Sequence, residues 1–331
     1  MLRALLAIAG VAIAASPAAA QKYNFTVAGY SPGGLVSTIG IGMDKALAAQ
    51  FPGSAVTYQT SSGGYANAIL LTQKKVPIGF IGDHEMSAIM AGKPPIKRPL
   101  NNLRLLFKPY VGSTRFQISH VLARKDFAEK YGLKVFEDIA KKKPPVRVGY
   151  NRPGNSDGDV QATQFELIGV KPDDFKKWGG QLVRASSGEM ASLMLDRRID
   201  MISVGMSFNH PRVREIAKGV DVVMLPISKE IAEKTAKTWN GKLCQIKSTE
   251  YTFLAQDSWA ACIGLGTYVD ASMSDEAAYN ITRAMFEQID KFKSAHRLLQ
   301  KVVTAQTLAE PGNVPHHPGA LRYLKEKGLA K

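Results

Sequence analysis

Three times near its start and three times again in its middle, this chain passes from a short apolar or β-branched run through a loop of Ser, Gly and Asn into an amphipathic helical stretch. Strands alternating with helices on this rhythm build βαβ units, so the fold class is α/β. The first set has strands at 24–28, 55–59 and 78–81, loops at 29–34, 60–64 and 82–84, and helices at 35–50, 65–73 and 85–90. The second has strands at 146–150, 181–184 and 200–204, loops at 151–158, 185–188 and 205–209, and helices ending near 168 and 196. Runs at 103–107 and 116–122 read as strands, 251–264 as one or two more, and 311–322 as an irregular segment. The stretch 274–299 reads as one long helix, capped by Ser274 with Asp275 and Glu276 in its first turn. Two sets of similar units predict two similar lobes, each a mixed sheet flanked by helices, with a cleft between them. Lobe one is expected at 22–114 plus 247–331 and lobe two at 115–246, hinged by strands near 116–122 and 251–255. At 331 residues and 45% hydrophobic content, the chain is long and apolar enough for two cores.

Residues 1–20 predict a cleaved signal peptide. Arg3 supplies the positive start, 5–15 is uncharged and apolar, Pro17 breaks the run, and Ala18-Ala19-Ala20 precedes Gln21 as an A-x-A site. The apolar run is about half the ~20 residues of a membrane-spanning helix. Export to a periplasmic space is therefore expected, and the strong positive balance, 43 Lys+Arg against 28 Asp+Glu, has to be read there. Nucleic acid is not expected as a partner in that compartment, and the Lys pairs and runs at 74–75, 141–143 and 176–177 lack the interleaved aromatic residues of a strand-binding groove. Anionic solutes fit the charge better. Cys244 and Cys262 enter a compartment that permits disulfides. They either pair or remain two buried thiols in separate strands, and spacing alone does not decide between these.

The repeated loops carry the chemistry. In open α/β sheets a ligand sits beyond the carboxyl ends of the strands, where helix N-termini present free N–H groups and the positive end of the helix dipole. Gly and Ser let a carboxylate approach those amides closely. With such loops on both walls, an interlobe cleft becomes an anion trap that needs no catalytic residue.

Several segments strengthen this reading. Gly33-Gly34 with Gly40, the stretches 67–71 and 78–83, the run LDRRIDMI at 195–202, and above all Pro315-His316-His317-Pro318-Gly319-Ala320-Leu321-Arg322-Tyr323 make the chain similar to the TAXI family, the extracytoplasmic solute-binding subunits of TRAP transporters. The resemblance implies a type II periplasmic-binding-protein fold whose lobes close on a small carboxylate or amino acid before docking on a membrane permease. It also implies a non-enzymatic role without a cofactor, and a monomer is expected. The same fold serving a sensor kinase is the alternative. Three departures separate the chain from the family pattern: Val36-Ser37 replaces a tyrosine pair, Ser61-Ser62-Gly63-Gly64 replaces Thr-Gly-Gly-Ser, and Gly154-Asn155-Ser156-Asp157-Gly158 replaces Gly-Ser-Gly-Thr-Glu. The family's usual ligand therefore does not carry over.

Competing chemistries are weaker. Gly29-Tyr30-Ser31-Pro32-Gly33 fits a G-x-S-x-G nucleophile elbow, but Pro32 lacks the N–H that the oxyanion hole would take from that position. His84-Glu85 opens like a zinc-protease helix, yet Ala88 stands where the second His belongs. Asn155, Asp157, Asp159 and Glu166 have calcium-loop spacing, but Val160 occupies the position that needs Gly. The expected site is thus a ligand cleft: Ser31, Gly33, Gly34, Ser61 and Ser62 hold an acid group from one wall, and Arg152, Asn155, Ser156 and Asp157 face it from the other. Arg152 is a candidate partner for a second carboxylate. Asp83 and Asp157 are candidates for an ammonium, and Tyr65 and Phe208 for the solute's apolar part.

Overall fold

The computed structural model describes residues 21–31, 35–114 and 118–331. The expected signal peptide, Gly33, Gly34 and the Phe116 end of one hinge lie outside these residues. Among the described residues the strands are, in chain order, β1 (Asn24–Ala28), β2 (Ala55–Gln59), β3 (Ile78–Gly82), β4 (Leu103–Tyr110), β5 (Ile118–Arg124), β6 (Arg147–Tyr150), β7 (Gln181–Arg184), β8 (Met201–Met206), β9 (Val222–Met224), β10 (Lys242–Ile246), β11 (Ser258–Cys262) and β12 (Leu265–Asp270). They form two sheets, ordered β2-β1-β3-β12-β4 and β10-β11-β5-β8-β6-β7, with β9 on β5. In the first sheet β1 runs parallel to β2 and β3, and β12 is antiparallel to β3 and β4. The second repeats the pattern, with β6 parallel to β7 and β8, and β5 antiparallel to β8. The fold is the mixed α/β, two-sheet architecture that the repeated units implied.

Helices cover both sheets because each repeat places apolar residues on the face turned to the strands. The helix Leu35–Gln50 buries Leu35, Val36, Ile39, Met43, Ala46 and Leu47, a 3.6-residue stripe, against β1, β3 and β4. Phe136, Phe165 and Phe175 fill one side of the second sheet through edge-on ring contacts at 5.1 and 5.3 Å.

Three expectations need correction. The long helix is broken into Asp275–Glu287, Ile289–Lys293 and Arg297–Val302, with Ser274 capping the first as expected through a 3.2 Å bond from the Ala277 N–H. The break turns Phe292 into the core beside Phe107 and against Gly42, where a Cβ would meet the Phe292 carbonyl at 2.6 Å. Tertiary packing here outweighs local propensity. The C-terminal segment is helical at Pro318–Glu326, capped by the His317 side chain, and His316 and His317 anchor it beside Leu105 on β4. Residues 251–255 form a turn rather than a hinge strand, and β11, expected in lobe one, lies between β10 and β5 in the second sheet. The chain thus returns to the first sheet through Ile263 and Gly264 alone. Gly264 is required there, since a Cβ would stand 2.2 Å from an Asp83 carboxylate oxygen.

Strand pairing also decides the cysteine alternative. Cys244 faces Ala260 and Cys262 faces Lys242 across β10 and β11, so the two sulfurs share a sheet face. They are joined as a disulfide with Cα atoms 6.0 Å apart. Closing a loop of this length in the unfolded chain is worth about 3 kcal/mol. Cys244→Ser with Cys262→Ser should lower the unfolding free energy by that amount in urea titrations. A loss below about 1 kcal/mol would show that strand pairing alone secures this edge.

Candidate functional site

The carboxyl ends of the strands in the two sheets face each other across a cavity. Tyr30, Ser31, Leu35, Val36, Tyr110 and Leu265 line it from the first lobe, and Asn151, Asn155, Asp157, Ser187 and Gly205 from the second. Three helices begin at this cavity: Leu35–Gln50, Ser156–Leu167 and Ser187–Leu195. Their N-termini carry the positive dipole ends and the N–H groups that have no partner within the helix, of which Asn155 and Ser186 cap one each in the second-lobe helices. The space between these residues is only about 40 Å³. Ligand clefts typically measure at least ~300 Å³. The lobes therefore stand closed, and a solute needs them further apart to enter. A larger groove of about 980 Å³ lies on the second lobe alone, between Leu133 and Phe253.

Asn155 joins the two walls. Its side-chain oxygen accepts the Asp157 N–H at 3.1 Å, capping the helix Ser156–Leu167, while its amide nitrogen lies 3.5 Å from the Ser31 hydroxyl on the opposite lobe. Asp157 is buried and accepts from the Gly205 N–H, from Gln161 at 3.2 Å and from Asn151 at 3.5 Å. Burial pushes its carboxyl up to about 6, and these bonds keep it from rising further. Gln161 is itself fixed by the Ser203 hydroxyl at 2.5 Å, and Asn151 donates to Ser187 at 3.3 Å. The wall below Asp157 is thus a preorganised polar network.

On the first lobe, Tyr30 closes the cavity at the end of β1. Its N–H donates to the Tyr58 hydroxyl at 2.7 Å, and its own hydroxyl donates to the fully buried Glu85. Glu85 also accepts the Gly64 and Gly82 N–H groups at 2.9 Å each, joining two strand-to-helix loops at one carboxylate. Burial raises Glu85 to about 7.

Of the residues expected from sequence, Ser31, Asn155 and Asp157 meet at this cavity. Ser156 opens its helix, and Gly33 and Gly34 lie outside the described residues. The others line different surroundings. Ser61 turns inward and donates to the Gly29 carbonyl of the neighbouring loop at 2.7 Å, and Ser62 is exposed to solvent. Tyr65 packs with Ala28, Ala68 and Ile81 in the first-lobe core. Asp83 is paired with the buried Lys108 at 2.7 Å. Arg152 reaches outward to Glu189 at 3.3 Å rather than into the cavity. Phe208 packs on Tyr251, with ring centres 5.3 Å apart. Sequence reading missed Tyr30, Tyr110, Asn151, Ser187 and Gly205. Asn151, Ser187 and Gly205 lie in the repeated Ser/Gly/Asn loops, which was the available signal. Tyr110 had none, because only the sheet order brings the end of β4 here.

The competing chemistries find little support. The Ser31 hydroxyl faces the Asn155 amide, which cannot act as a base, and Asp157 and Asp159 are engaged by backbone N–H groups. No group of three or more metal-ligating side chains occurs among the described residues, and none of their helices is long and apolar enough to cross a membrane.

The NMT1-like family profile matches residues 27–328. Among solved structures the chain is similar to the periplasmic binding protein BugD, at 12% identity and a TM-score of 0.57, covering 93% of this chain and 94% of that one. It is similar to MatC from Rhodopseudomonas palustris with bound malate, at 14% identity and a TM-score of 0.57, with 93% and 96% covered. A binding-protein component of an ABC phosphonate transporter from Pseudomonas aeruginosa matches at 14% identity and a TM-score of 0.53, again with 93% and 96% covered. At these identities the likeness is one of fold.

Proposed function

Since the chain belongs to the NMT1-like family, we propose that it is a periplasmic solute-binding protein that captures a small acid between its lobes and delivers it to a TRAP-type membrane permease. The observation that carries this reading is the convergence of three helix N-termini from both lobes on one closed cavity. Those termini suit a carboxylate. No Lys or Arg is among the described lining residues, and the one ionisable acid there, Asp157, favours a solute that also carries a donor. An amino acid or a hydroxy acid has both groups, placing its acid on the helix ends and its ammonium or hydroxyl on Asp157. Malate in MatC is a hydroxy acid held by the same fold. The Cys244–Cys262 disulfide fits an oxidising, extracytoplasmic compartment.

A thermal-shift screen across hydroxy acids, amino acids, phosphonates and neutral or cationic analogues tests the solute class. A bound solute at 100 times its Kd adds about 2.7 kcal/mol of stability. Acids bearing a hydroxyl or ammonium should raise the midpoint, and Asp157→Asn should reduce the advantage of the ammonium compounds about tenfold or more in affinity, as loss of a charge-assisted bond does. A response confined to neutral or cationic solutes would overturn the acid-binding reading. Uptake by proteoliposomes containing the cognate permease, with and without this protein, tests the delivery step.

A further inference from the structure

Away from the cavity, the lobes also meet through two aromatic side chains that lack hydrogen-bond partners. His84, in the first turn of the helix Asp83–Met90, is 3% exposed. Its ring stands edge-on to that of Trp239, at the end of the second-lobe helix Lys229–Thr238, with centres 4.8 Å apart. Among the described residues neither imidazole nitrogen has a hydrogen-bond partner, and the buried indole N–H of Trp239 has none either. A second stitch lies alongside. The Asn240 amide donates to Asn313 at 3.3 Å, and Asn313 donates to the Asp83 carbonyl and the Ser87 hydroxyl at 2.7 Å each.

This contact accepts only one charge state of His84. An imidazolium would place two N–H donors and a full charge where nothing receives them, at the positive end of its own helix. The neighbouring charges have partners of their own. On its own helix, one Asp83 oxygen is held by Lys108 while the other has no partner among the described residues, and Glu85 is held by Tyr30, Gly64 and Gly82. Lys242 on β10, Glu310 before the C-terminal helix, and His316 act on the Asp83–Lys108 pair. Parting the lobes would return the ring to water, where protonation is ordinary.

We propose that His84 and Trp239 are positioning residues for solute capture: they latch the closed form only while His84 is neutral, so acidification parts the lobes and releases the solute. Burial lowers His84 from 6.5 to about 3 in the closed form. Stability that depends on the neutral ring is complete above 6.5 and is lost as pH falls below it, which disfavours closure by about 30-fold at pH 5. This latch rests on the closing-cleft reading above.

Small-angle X-ray scattering on the full, solute-free chain at pH 7.5 and 5.0 tests it. Wild type should expand on acidification. His84→Phe, which keeps a ring edge but cannot titrate, should stay compact at both values, and Trp239→Ala should be open at both. Equal acid expansion of His84→Phe and wild type, or no expansion of wild type, would overturn the latch. Should His84→Phe fail to fold, the emission of wild type minus that of Trp239→Phe isolates Trp239, and a signal without a pH midpoint between 5 and 7 would likewise overturn it. Because no solute is present, failure here leaves solute capture untested by this result, and a failed solute screen would leave the scattering interpretable.

Discussion

Replacing Gly63 with Ala is expected to weaken solute binding about 100-fold, equivalent to roughly 3 kcal/mol, while leaving the two lobes folded. Gly63 lies where the lobes touch: a Cβ there would stand 2.3 Å from the Gly154 carbonyl oxygen and 2.9 Å from the Asn155 Cα on the opposite wall. Backbone meets backbone, so no side chain can swing aside. Its φ of 136° and ψ of −169° also fall in a region that is essentially reserved for glycine, at a cost of about 1–3 kcal/mol for other residues. That local strain is present in the open and closed forms alike, whereas the collision arises only on closure. Gly132→Ala separates the two effects, because Gly132 has φ of 63° with nothing within 4 Å of its added Cβ. It should lower the unfolding midpoint and leave affinity unchanged. Calorimetric titration with whichever acid the screen identifies decides the matter. An affinity for Gly63→Ala within threefold of wild type would mean that the lobes do not close as tightly in solution as they stand here.

The second large effect concerns Glu85. Its carboxyl rises from 4.5 to about 7 on burial, even though the Tyr30 hydroxyl and the Gly82 and Gly64 N–H groups favour its charge. The folded protein therefore holds a proton between pH 4.5 and 7 that the unfolded chain has released. Stability from this group is complete below 4.5 and is lost as pH rises through 7, by about 3 kcal/mol over the window. Buried histidines act in the opposite direction. His84 and His210 are lowered to about 3 and His316 to about 4, so they remove stability on acidification below 6.5. The total pH profile mixes both trends, and the difference between wild type and Glu85→Gln isolates one. That difference in unfolding free energy should shift by about 3 kcal/mol in favour of the glutamine variant between pH 4.5 and 8. A flat difference would show that Glu85 stays ionised, balanced by its three donors. Glu85→Ala should be far more damaging, because it leaves the Tyr30 hydroxyl and the Gly64 N–H buried without the acceptor they now share, while the Gly82 N–H keeps only the Tyr30 hydroxyl oxygen.

The parts of the site that were legible in sequence are those set by local chemistry. Asn155 and Asp157 could be read because an N-cap and an acidic first turn form a pattern within a few residues. Ser31 could be read because it lies in a strand-to-helix loop. Asp83, Tyr65 and Arg152 misled because the same loop positions admit a second fate. Lys108 on β4 claims Asp83, the core claims Tyr65, and Glu189 draws Arg152 outward. Lys108 and Glu189 lie 25 and 37 residues from the side chains they claim, and Ala28 and Ile81 reach Tyr65 from two strands.

The amino-acid sequence determined the repeated strand–loop–helix units, the α/β class, the helix that runs from Leu35 to Gln50 and the capping of its later counterpart by Ser274, because periodicity and caps act over one or two turns of chain. The order of strands in each sheet, the move of β11 into the second sheet, the pairing of Cys244 with Cys262, the arrival of Tyr110 at the cavity and the meeting of His84 with Trp239 were decided only in three dimensions. Each depends on contacts between segments from 18 to more than a hundred residues apart, whose free energy comes from burying whole faces together rather than from any property of the segment alone.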